Sequence, residues 1–320
     1  MKSISELTDF YYDTLYGDLK ELEEERQKIA RKLITLFVIL GLVAAAIMLA
    51  IYRESGGMHD GMIFVAFAGV AIGAFAMKFM TKDYTHDFKF RIIRPMIHAI
   101  EDDLVYRPND RLSETLFERS GIFRQRIDRY NGNDLVTGTI EGTDLRFSDV
   151  HAEYRTKDSK GRTSWHTIFQ GLFIMAEFNK HFKGRTVILP DRAEKLFGSL
   201  VGSWLQSKNF SREALVKMDD PAFEKAFVVY GTDQIEARYI LTHAMMKRLL
   251  DFKKRSKEEI FVSFVGSHIH VAVSGGDRFE PAVFKSLLSY EQAMAYIATL
   301  KLAIGIVEEL KLNQRLWSKQ

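Results

Sequence analysis

Two apolar runs decide the fold: Leu33-Ile-Thr-Leu-Phe-Val-Ile-Leu-Gly-Leu-Val-Ala-Ala-Ala-Ile-Met-Leu-Ala-Ile-Tyr52 and Gly61-Met-Ile-Phe-Val-Ala-Phe-Ala-Gly-Val-Ala-Ile-Gly-Ala-Phe-Ala-Met77. Only the polar segment Arg53 to Asp60 separates them, and neither contains a charged side chain. A helix crosses a bilayer with roughly 20 apolar residues, and it satisfies its own backbone where no water can. The pair therefore predicts a transmembrane hairpin with spans at about 33–52 and 61–77. A buried hairpin inside a soluble protein is the competing reading, and it would have to hide both runs in a chain with few other core helices.

Charge orients the hairpin. Arg26, Lys28, Arg31 and Lys32 precede the first run, while Lys78, Lys82, Lys89, Arg91 and Arg94 follow the second; the loop between holds only Arg53. The positive-inside rule then places both termini in the cytoplasm and the loop outside. A cleaved signal peptide is not expected, because the polar lead is Glu-rich and about 32 residues long. The spans hold no ionisable group, so a proton relay or ion path has nothing to be built from, which argues against transport. Gly69 and Gly73 form a Gly-x-x-x-Gly that suits either a dimer interface or the contact between the two spans; the second is the expectation.

Outside the hairpin the composition is that of a folded protein in water: 27% charged and 47% apolar over 320 residues, with a net charge of +3. No cysteine is present, which removes disulfides, thiolate metal sites and cysteine nucleophiles. We expect an anchor over residues 1–108, comprising an amphipathic helix, the two spans and a post-membrane helix. A cytosolic α+β domain fills residues 109–320, mostly antiparallel, with a barrel-like roll and a long C-terminal helix as its expected form. Leu15, Leu19, Leu22, Ile29 and Leu33 have helical spacing, interrupted by Arg26 where a heptad wants an apolar residue. Beyond the membrane, Phe88, Ile92, Ile93, Met96, Ile97, Ile100 and Leu104 repeat the logic, with a kink or break predicted at Pro95. These helices either form a stalk or pack on the soluble domain.

After Asn109 the pattern changes to strands. Asn131-Gly132-Asn133-Asp134 reads as a turn, and 135–140 with 143–155 as a hairpin about Glu141-Gly142. Further strands are predicted over 165–178, 186–189, 215–218, 228–230, 260–265 and 268–273, the last two joined by Gly266-Ser267. Helices are predicted over Arg192 to Leu205 and Gln234 to Lys254. Val283, Leu287, Tyr290, Met294 and Ile297 follow a heptad seam that fails at Lys301 and continues through Leu300, Ile304 and Val307. That shift favours a helix laid on a globular core over a long coiled coil.

The runs Val136 to Gly142, Phe169 to Phe173, Phe182 to Thr186, Phe223 to Tyr230 and Ala237 to Thr242 resemble a bacterial family, the domain of unknown function numbered 3137. The resemblance implies a two-span anchor with a cytosolic domain. It carries no activity, since its motifs are Gly turns and Phe core positions.

Candidate sites are few. His268 and His270 lie two apart on a strand and so share a face, a spacing that could hold a metal with a third ligand that the sequence does not name. Solvent-face polar residues explain them equally well, and no metal or other cofactor is expected. Gly275-Gly276-Asp277 reads as a turn, and Gly198-Ser199-Leu200-Val201-Gly202 has the wrong spacing for a nucleophile elbow. Two basic clusters could meet an anionic lipid surface: Arg155, Lys157, Lys160 and Arg162 in a loop, and Lys247, Arg248, Lys253, Lys254, Arg255 and Lys257 at a helix end. Solvated cations complementing a helix dipole are the alternative for the second. Nucleic acid is not an expected partner, because the charge is nearly balanced. The expectation is a binding or scaffolding protein of unknown activity, leaning away from an enzyme, with the bilayer and a protein partner or second copy as its contacts. A membrane-tethered enzyme acting on a lipid or envelope precursor, and an anionic-lipid sensor, are the alternatives.

Overall fold

The chain begins with α1 (Ile4–Asp9), whose N-terminus is closed reciprocally by the side chains of Ser3 and Glu6, followed by a π-helical turn (Phe10–Thr14). Next come the two helices that carry the apolar runs, α2 (Tyr16–Ser55) and α3 (Asp60–Phe88). This computed structural model describes residues 3–57, 60–178, 180–191, 214–310 and 312, so the helix expected from Arg192 to Leu205 falls outside the described residues. Both long helices are long and apolar enough to cross a membrane. Their apolar side chains point outward: Leu42 is 66% exposed, Phe64 74% and Val70 72%. So much uncovered apolar surface suits lipid and not water.

Two compact units organise the chain: residues 1–99 with 279–297, and residues 100–278 with 298–320. The first unit thus includes a late segment of the chain, 279–297, together with the N-terminal helices. In the first unit, Gly73 is buried and a Cβ there would stand 3.1 Å from the Phe37 ring, whereas Gly69 has nothing within 4 Å. One glycine of the pair therefore serves the contact between the spans. Past the second apolar run the helix does not break at Pro95. A π turn (Lys89–Ile93) comes first and the helix resumes as α4 (Arg94–Ile100). Proline cannot donate to the carbonyl four residues back, and the wider turn, closed by Arg94 N–H on the Lys89 carbonyl, takes up that mismatch.

Among the described residues the second unit is built on one nine-stranded antiparallel sheet. Its first elements are β1 (Val105–Arg107), α5 (Glu114–Arg119), β2 (Arg129–Ile140), β3 (Thr143–Lys157), β4 (Thr163–Glu177), β5 (Arg185–Pro190) and β6 (Ala214–Leu215). Then follow α6 (Pro221–Ala226), β7 (Phe227–Gly231), α7 (Gln234–Ile240), α8 (His243–Ser256), β8 (Ile260–Val265) and β9 (His268–Ser274). The strand order is β1-β2-β3-β4-β9-β8-β5-β7-β6. Among the described residues no pairing joins β1 to β6, so the sheet is open where a barrel-like roll was expected.

Both faces of the central strands are buried. Leu172 and Ile174 of β4, Val271 and Val273 of β9, Val262 and Phe264 of β8, Ile188 of β5 and Val229 of β7 line one face by their pairing. On the other, Phe169, Phe173 and Phe261 are covered by the segment around α5, with Phe117 5.0 Å from Phe173 and Phe123 5.3 Å from Phe261. These rings hold the domain together. The expected hairpin about Glu141-Gly142 forms, both residues having positive φ (48° and 78°) as a two-residue turn matched to strand twist requires.

Three local readings change. Asn131 to Asp134 is not a turn but part of β2, where the register slips between Asn133 and Val136. Asp134 takes a φ of 61° there, its N–H donating to the Pro108 carbonyl. The predicted helix from Gln234 to Lys254 is two, because Thr242 leaves the helical path to cap α8, accepting from Met245 N–H. Likewise the last helices, α9 (Tyr290–Ile304) and α10 (Ile306–Glu309), exclude Val283 and Leu287. The stripe Leu300, Ile304 and Val307 is fully buried, which accounts for the shift out of the heptad.

Candidate functional site

Residues 280–289 form no regular element, yet Leu287 is fully buried, so their backbone groups must find partners. Side chains of α2 and α3 and their flanking helical turns supply them. Glu23 accepts the Leu287 N–H at 3.0 Å, and Arg26 donates to the Val283 carbonyl at 2.8 Å. Tyr84 donates to the Ala282 carbonyl at 3.1 Å, and Tyr11 to the Leu287 carbonyl at 2.9 Å. Lys89, presented by the π turn, pairs with Glu280 at 2.6 Å. Together they clamp the segment as a strap.

At the centre Arg26 forms a two-pronged bond with Glu23, at 2.9 and 2.7 Å, and Gln27 adds a third contact at 3.1 Å. Glu23 is 5% exposed and Arg26 9%. Burial pushes the Glu23 carboxyl up, but the bonds from Arg26, Gln27 and the Leu287 N–H reverse that and bring its pKa to about 2. Burial likewise holds Tyr11 and Tyr84 well above the ordinary phenol value, so both remain donors. The interruption at Arg26 in the apolar spacing is therefore the clamp itself. That interruption was visible in the sequence; the partners, contributed from the far end of the chain, were not.

The second unit buries a different polar group. Asp149 of β3 accepts the Arg278 N–H at 2.9 Å through one oxygen, while its other oxygen has no hydrogen-bond partner. Burial raises its pKa to about 7, with Asp134 and Asp277 adding to the rise and Arg278 opposing it. Nearby in sequence, Arg107, Asp110, Arg111, Glu114 and Tyr130 border a shallow cleft of about 510 Å³. Its charges are mixed, and no acid–base pair stands out in it.

The sequence-derived candidates take several positions. His270 is buried, 3.4 Å from the Ser263 hydroxyl, and burial, with His268 and Arg185 nearby, lowers its pKa to about 3. The two rings are 6.2 Å apart, and no group of three His, Cys, Asp or Glu that could hold a metal occurs among the described residues. Arg155, Lys157, Lys160 and Arg162 are exposed at the end of the β3–β4 hairpin. There Asp158 accepts the Lys160 and Arg162 N–H groups at 2.9 and 2.8 Å and pairs with the Arg162 side chain at 3.0 Å. Those backbone bonds lower the Asp158 pKa. Replacing Asp158 by Ala is expected to speed amide exchange at 160 and 162 without moving the protection of β3, measured by hydrogen exchange. In the second cluster, Lys253 is occupied by Glu259 at 3.0 Å and lies 4.9 Å over the Phe227 ring. Lys247, Lys254, Arg255 and Lys257 are exposed, and Lys257 closes α8 in a left-handed conformation.

The fold is thus a unit built on two long apolar helices and an α+β unit on an open antiparallel sheet. Over residues 167–312 the chain matches the family described as "Protein of unknown function (DUF3137)", the one that its Gly and Phe motifs resemble. It is also similar to the crystal structure of the mycobacterial trehalose monomycolate transport factor A, at a TM-score of 0.34 and 13% identity, covering 65% of this chain and 91% of that chain. Comparison with curated proteins gave no match.

Proposed function

We propose that the protein is a binding or scaffolding module tethered to the bacterial inner membrane, with both termini in the cytoplasm. One observation carries this reading: the clamp of Glu23, Arg26, Tyr84 and Lys89 on residues 280–287. A passive tether needs no folded contact with a distant part of its own chain. Here the helices flanking the spans bury charge to hold such a segment, so the anchor is a structural part of whatever surface the protein presents. The uncovered apolar spans and the basic residues flanking them support the membrane orientation.

The absence of native cysteine makes the test direct. In cells, a single cysteine at Glu54 is expected to react with a membrane-impermeant maleimide from outside, and one at Ser3 only after the membrane is opened. Crosslinking in native membranes should then recover a defined protein partner, and lose it in a clamp variant that still inserts. Labelling at Ser3 from outside would overturn the orientation. A full set of crosslinks unchanged by loss of the clamp would overturn the scaffold reading.

A further inference from the structure

The helices that hold the strap also measure its distance from the membrane. Arg26 precedes Leu33, and Tyr84 follows Met77, by the same seven residues. At 1.5 Å per residue their backbones lie about 10 Å from the edge of the apolar runs. Glu23 lies about 15 Å from that edge and Lys89 about 18 Å. The strap therefore rises from Glu280 at Lys89, through Ala282 and Val283 at Tyr84 and Arg26, and descends to Leu287 at Glu23. Its turning point is at Phe284 and Lys285.

Phe284 is 53% exposed, although it belongs to a segment whose neighbours Pro281 and Leu287 are buried. Lys285 is exposed too, in a surface pair with Glu291 at 3.1 Å that water and salt weaken. Between that level and the apolar runs Lys28, Arg31 and Lys32 on α2 and Lys78 and Lys82 on α3 are all exposed; no acidic residue lies within 28–32 or 78–82, and exposed Asp83 follows directly after Lys82. A headgroup layer adds roughly 5 to 8 Å to each side of the hydrocarbon core. A Phe ring and a Lys stem reach across the remaining gap, and aromatic rings and cations favour that boundary.

We propose that the Phe284-Lys285 turn is a membrane-interface anchor: the ring enters the headgroup–acyl boundary, and Lys285 joins the five flanking cations on anionic phospholipid headgroups. This rests on the transmembrane reading of the two runs. It gives the clamp a purpose, since a loop must be held rigidly to present a side chain at a fixed depth.

The test uses the full chain in liposomes of phosphatidylcholine and phosphatidylglycerol, with an environment-sensitive dye on single cysteines at Phe284, Phe67 or Tyr290. All three native side chains are exposed, so folding is not at stake. Lipids brominated deep in the acyl chain are expected to quench the dye at position 67. Lipids brominated near the headgroup should quench position 284 several-fold more than position 290, and less when phosphatidylglycerol is omitted. Quenching at 67 with 284 no different from 290 would overturn the interface anchor and leave the transmembrane reading intact. No quenching at 67 would overturn both. An unchanged signal at 284 without phosphatidylglycerol would overturn the anionic-headgroup contact.

Discussion

Replacing Glu23 by Leu is expected to release the strap, raising amide exchange at Leu287 by roughly a hundredfold or more. The reason is what the substitution leaves behind. Arg26 is 9% exposed, and Glu23 provides both acceptors for its fork. Removing one partner of a buried ion pair strands the other charge at a cost of about 3–5 kcal/mol. The Leu287 N–H loses its acceptor at the same time. Replacing both Glu23 and Arg26 by Leu should recover part of the loss, because it removes the stranded charge while leaving the strap backbone unsatisfied. Exchange at Leu287 no faster than in the native chain would contradict the clamp. Acid should do much less than the substitution. The Glu23 pKa is depressed to about 2, so the stability it contributes is complete above the ordinary carboxyl range and is lost only as pH falls toward 2.

The elements easiest to read in the sequence were those with a strong period. The uncharged apolar runs form long exposed helices as predicted, and Glu141-Gly142 between alternating segments turns a hairpin. Phe169, Phe173 and Phe178, in the segment predicted as a strand over 165–178, are buried. What escaped depended on contacts between residues distant in sequence. Val283 and Leu287 have helical spacing but no helix, because their backbone groups are bound by Arg26 and Glu23, more than 250 positions away. The Asn-Gly-Asn-Asp run has turn composition, yet it is taken into β2 by pairing with β3, and Asp134 supplies the left-handed residue of an irregularity instead. A buried Asp149 was not legible either, since an Asp in a strand ordinarily marks the solvent face. Only the fold shows that this face is covered: Asp149 pairs opposite the buried Leu172, and Arg278 reaches it with its N–H.

For Asp149 the expected result is a stability that falls as pH rises from about 4 to about 7, and a substitution by Asn that abolishes the fall. The carboxyl titrates near 3.8 in the unfolded chain and at about 7 in the folded one, so the folded state holds an extra proton between those values. Its folded pKa is raised, so the penalty is absent below the unfolded value, grows through this window and is complete above the folded value. A shift of this size corresponds to a penalty on the order of 4 kcal/mol. The cause is geometric. One oxygen accepts the Arg278 N–H, the other accepts nothing, and Asp134 and Asp277 lie close enough to disfavour a second negative charge. An amide at this position keeps the acceptor for Arg278 and removes the charge. Denaturation midpoints of the full chain in detergent should therefore coincide for the native protein and Asp149→Asn near pH 4. By pH 8 the variant should be the more stable. A difference between the two that does not change with pH would show that this carboxyl stays ionised in the fold, and that its uncovered oxygen is solvated.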